Sequence, residues 1–171
     1  MTPRLRKLAL TAHVTCSVGW LGAVVVFLVL AIAGLTGQDP HMVRGAYLAM
    51  ELTAWVVILP MCLASLLTGL VQALGTQWGL FRHYWVLVKF LITVLATIIL
   101  LVHMQPISQV ARAAAATTWS TSDLRGLRIQ LVVDAAAAVL ALLVTTTLAL
   151  YKPPGMTRYG HRKQREQRTA S

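Results

Sequence analysis

Five ionisable side chains, His13, Glu51, Lys89, His103 and Asp134, stand inside stretches of sequence that are otherwise almost wholly apolar. A lysine or carboxylate near the middle of a membrane helix costs roughly 2.5–3.5 kcal/mol on insertion scales, so such a group faces a bundle interior, a cofactor or a water-filled cavity. Their spacing separates two polar centres. His13 lies six positions beyond Lys7 and Lys89 six beyond His83, which puts both about 9 Å inside one membrane face on helices entering from the same side. His103 follows Lys89 by fourteen positions, about 21 Å further along one helix face, and Glu51, Asp134 and His41 fall at its depth. Nitrogen and oxygen donors at one depth suit a divalent cation or a proton path, and Met50 and Met104 nearby extend the candidates to copper. No Met-x-x-Met or His-x-His spacing accompanies them, and ion pairs Arg128–Asp134 and Arg44–Glu51 account for the same acids. The sequence favours that structural pairing.

The elements that must position these groups are long. Of 171 residues, 57% are apolar and 12% charged, against about 45–50% and about 25% in soluble domains. Apolar runs near 8–35, 46–74, 84–104 and 127–151 each meet the requirement of about 20 residues for a membrane-spanning helix. The first follows Arg4, Arg6 and Lys7 like a secretory signal, but it exceeds the 7–15 residues of a signal core and lacks an Ala-x-Ala site, so a retained helix is expected. The expected fold is all-α: a polytopic four-transmembrane-helix bundle over residues 1–151, followed by a basic, disordered tail over 152–171. Asp39-Pro40 reads as an N-cap and first-turn proline for the second span. Pro60 should kink that span and free carbonyls near Val56. Gln105-Pro106 reads as the end of the third span, with Ile107–Trp119 forming a short amphipathic helix on the outer surface. Thr121, Ser122 and Asp123 offer caps for the fourth.

Net charge is +10, and its placement points to lipid, not nucleic acid. Most basic residues gather on the side carrying both termini, so the positive-inside rule puts the termini in the cytoplasm of a cell whose inner membrane holds the protein. The tail could lie against anionic lipid. Cys16 and Cys62 sit within spans as small core residues. On the second span Glu51, Trp55, Ile58, Cys62, Ser65, Gly69 and Gln72 follow helical spacing and define the expected inward stripe. Stripes through His13, Ser17 and Trp20, through Lys89, Thr93 and His103, and through Asp134, Ala138 and Thr145 complete four inward faces.

His13 followed by Trp20-Leu21-Gly22, together with Tyr84-Trp85-Val86-Leu87-Val88-Lys89-Phe90, resembles a set of small bacterial membrane families. These are an integral-membrane family of unknown function, the copper-resistance D family and the membrane-bound protoporphyrinogen oxidases. The likeness covers the first and third spans. In the oxidases a first-span histidine and a third-span lysine form the functional pair and the protein binds haem b, so the resemblance implies His13 and Lys89 at the matching positions. Imidazole is a good axial iron ligand, and a porphyrin fits between apolar helices. His13 would ligate iron, Lys89 would meet a propionate or act as an amine, and His83 and Trp20 would complete the site. Structural readings stand beside each role: a helix–helix hydrogen bond for His13, snorkelling for Lys89, and an interfacial anchor for His83. Hydrolase, Walker and His-Glu-x-x-His motifs are absent. The readings carried forward are haem b in a redox role, a non-enzymatic subunit of a membrane complex, and copper handling. The lipid bilayer is the expected partner, alongside other membrane proteins or further copies of the chain.

Overall fold

The computed structural model describes residues 2–75, 83–116, 124–151, 157 and 162. Helix α1 runs Pro3–Thr36, α2 Pro40–Thr53, a π-helical turn Ala54–Ile58 leads into α3 at Leu59–Gly75, α4 runs Tyr84–Ala115 and α5 Arg125–Tyr151. Since α2, the π turn and α3 form one rod, these make four stretches long and apolar enough to cross a membrane. Successive spans run antiparallel. The α2–α3 rod and α5 both flank α1, and α4 closes the ring by packing on the rod and on α5. This is the expected all-α bundle. Of the tail, only Thr157 and Arg162 fall within the described residues; Arg82, Trp119 and the caps at 121–123 lie outside them.

Local chemistry explains where the helices start and bend. Asp39 caps α2 as expected, accepting from the backbone N–H of His41 at 3.1 Å and of Met42 at 3.3 Å, with Pro40 where a missing N–H costs nothing. Pro60 cannot donate to the carbonyl four residues back. The chain absorbs this one turn earlier with a π turn, in which the N–H of Leu59 reaches the carbonyl of Ala54, five residues away. A π turn inserts one residue into the helical repeat and so rotates everything before it relative to everything after. Below the turn the buried positions are Ile58, Cys62 and Ser65, as the sequence stripe requires; above it they are Ala54, Met50, Tyr47 and Val43. Trp55 is therefore exposed and Glu51 only half-buried, not interior.

The third span departs from expectation at its far end. Helix α4 passes through Pro106 without interruption and continues to Ala115, so residues 107–115 extend the span and do not form a separate surface helix. Their packing explains this: Met104, Ile107, Val110, Ala111 and Ala114 are buried on the part of α4 that meets α2, and those contacts hold the helix across the lost backbone bond. Between Tyr84 and His103, by contrast, only Thr97 is buried. The more apolar half of α4 thus faces lipid and stands away from its neighbours.

Candidate functional site

The inner centre is a ladder of hydrogen bonds between α1 and α3. His13 Nδ1 lies 3.1 Å from the Ser65 carbonyl and 3.1 Å from Thr68 Oγ1. One turn on, Ser17 Oγ meets Ser65 Oγ at 2.8 Å, and one turn back Gln72 Nε2 donates to the Ala9 carbonyl at 2.9 Å. Gly69 makes the contact possible: a β-carbon there would lie 3.0 Å from His13 Cε1. With Nδ1–H donating to the Ser65 carbonyl, the lone pair falls on Nε2, which has no hydrogen-bond partner among the described residues. Lys89 is half-buried on α4, and its Nζ stands 5.9 Å from the centre of the Trp85 ring one turn earlier. His83 precedes α4 with its ring 6.4 Å from that of Trp85. Trp20 is not at this centre; it is 4% exposed and lines a cleft deeper in the bundle.

The outer centre contains a true pair. His103 Nε2 is 2.9 Å from Asp134 Oδ2 across the α4–α5 seam. His103 Nδ1 sits 2.8 Å from the Ile99 carbonyl, which makes it the donor, and Gln130 Nε2 lies 3.1 Å from the same Nε2. The close approach at Asp134 Oδ2 is poorly aligned, so this enclosed oxygen has no hydrogen bond of its own. Glu51 does not join them: among the described residues no three His, Cys, Asp or Glu side chains form a set able to hold a metal. The π turn is the reason, since it takes Glu51 out of the inward phase. Met50 and Met104 are buried in the hydrophobic core, and His41 stays at the first turn of α2.

The expected ion pairs do not form. Asp134 pairs with His103, while Arg128, 6% exposed, donates through Nε to the Tyr47 hydroxyl at 2.7 Å and through Nη2 to the Gly34 carbonyl. Its guanidinium also lies 5.4 Å from the centre of the Tyr47 ring. This clamp joins α1, α2 and α5, and sequence reasoning missed it because each partner comes from a different helix. Gln130 was more accessible, since it stands one turn before Asp134 on the same face.

Beside the outer centre lies a cavity of about 280 Å³, walled by Trp20, Val24 and Phe27 of α1, Ile58 of the π turn, and facing residues of α4 and α5. His103 and Asp134 are in its wall; His13 and Lys89 are not. Space for it comes from Ala135, Ala138 and Ala141 on α5 and from the loose packing of the first half of α4. No family profile, curated protein or solved structure matches this chain.

Proposed function

We propose that this integral membrane protein holds haem b in a redox role, with His13 as an axial ligand. The supporting observation is the orientation of His13: its Nδ1 is committed to the Ser65 carbonyl, leaving Nε2 with the lone pair that iron requires. A ligating histidine whose other ring nitrogen donates to a carbonyl is the usual arrangement at metal sites. Bound haem would supply one-electron chemistry. The chain's own contribution is to fix the imidazole tautomer through Ser65 and Thr68, to offer the Lys89 ammonium to a propionate, and to exclude water with the apolar spans.

Absorption spectroscopy tests the reading. Protein purified in detergent from haem-replete cells should show a Soret band that His13→Ala abolishes and His103→Ala retains. A colourless wild-type protein, or a band indifferent to His13, overturns it.

A further inference from the structure

The cleft holding His103 and Asp134 carries chemistry that the haem reading does not use. Leu95, Ile99 and Ala137 line it and are also exposed on the outside of the bundle. Its mouth therefore opens sideways between α4 and α5, toward lipid. Apart from Trp20, the polar side chains in the wall are His103 and Asp134. They stand together toward one end, 2.9 Å apart, with about a third of the Asp134 side chain left uncovered by protein. An occupant must come from the bilayer, fill an apolar channel with an apolar body, and present one compact polar head to the pair.

Depth limits the head. A helix of 32 residues is about 48 Å long and overhangs a hydrocarbon core of about 30 Å at both ends. His103 stands twelve positions before Ala115, about 18 Å down the helix from that end, so the pair lies below the headgroups. A phosphate or ammonium head would have to be desolvated there at great cost. An ionised carboxylate would meet Asp134. A neutral head with hydroxyl or carbonyl oxygens meets neither penalty: a hydroxyl can donate to the carboxylate oxygen of Asp134 that is not turned to His103, and a carbonyl form of the same head adds no charge to the site.

We propose that this cleft is a binding site for a membrane-dissolved molecule with a long apolar body and one neutral oxygen-bearing head, the chemistry of a prenylated quinone or quinol. The site stands on its own geometry and does not require haem at His13.

Trp20 provides the readout. In full-length protein with its other four tryptophans replaced by phenylalanine, decyl-benzoquinone should quench Trp20 fluorescence saturably, and a quinone lacking the alkyl chain should quench far less. Asp134→Asn and His103→Leu should each weaken apparent affinity about tenfold, in keeping with loss of a hydrogen bond to a charged partner. Ala138→Phe, which fills the channel without touching the pair, should abolish saturation. Repeating the titration on His13→Ala separates this site from the haem reading, since binding should persist in a colourless protein. Linear, unsaturable quenching that is unchanged in Ala138→Phe overturns the proposal. So does equal occupancy by brominated phosphatidylcholine, which would make the cleft a place for bulk lipid.

Discussion

Arg128 illustrates how a charge is accommodated in this protein. Its guanidinium is buried, and a phenol and a carbonyl are among the groups that satisfy it. Removing the phenol oxygen strands part of that charge, so Tyr47→Phe should lower stability by about 1.5–3 kcal/mol, the value of a hydrogen bond to a charged group, measured by reversible denaturation in detergent. Gly34 is held to glycine by the same clamp: a β-carbon would lie 2.6 Å from Tyr47 Cζ. Gly34→Ala should therefore cost about 1–3 kcal/mol by overpacking, whereas Gly22→Ala and Gly45→Ala, where a β-carbon meets nothing within 4 Å, should leave the melting temperature unchanged or raised. The inner residues were legible at this scale because a histidine in an apolar run declares itself. The Arg128 clamp was not, because an arginine near a helix start looks like an ordinary boundary charge.

At the scale of the element, the π turn before Pro60 governs which side chains of the second span face inward. A regular helix would carry the stripe from Ile58 back through Trp55 to Glu51; the extra residue in the turn substitutes Ala54 and Met50. Deleting Val57 should convert the wide turn to an ordinary one and keep both halves in phase. Deleting Leu67 in α3 should rotate Gly69 and Gln72 away from α1. The expected result is a monodisperse, folded Val57 deletion and a Leu67 deletion with little folded yield, read by size-exclusion chromatography in detergent. Pro106 shows the opposite relation between proline and helix. Its position suggested a terminus, yet buried contacts from Met104 to Ala114 carry the helix through it. Identical residue types gave different outcomes because neighbours, not proline itself, decide whether a broken backbone bond ends the helix.

Across the whole molecule, the ring of antiparallel spans leaves most large apolar side chains turned outward, as a bilayer demands and water would not allow. Leu140 is 64% exposed near the middle of α5, so Leu140→Arg should cost roughly 2.5–3.5 kcal/mol of insertion free energy, seen as a fall in inserted fraction in a translocon assay. Length, apolarity and the few ionisable exceptions determined, from sequence alone, that the chain is a four-span α-helical bundle and drew attention to His13, Glu51, Lys89, His103 and Asp134. These properties are written residue by residue, because the cost of placing a group in lipid depends on the group itself. Which of them meet was decided only by tertiary structure. His103 found Asp134 and Gln130, Glu51 was left outside by one added residue in a turn, and Trp20 went to the cleft. Such pairings depend on the relative rotation and separation of different helices, and those are set by packing among all the spans at once.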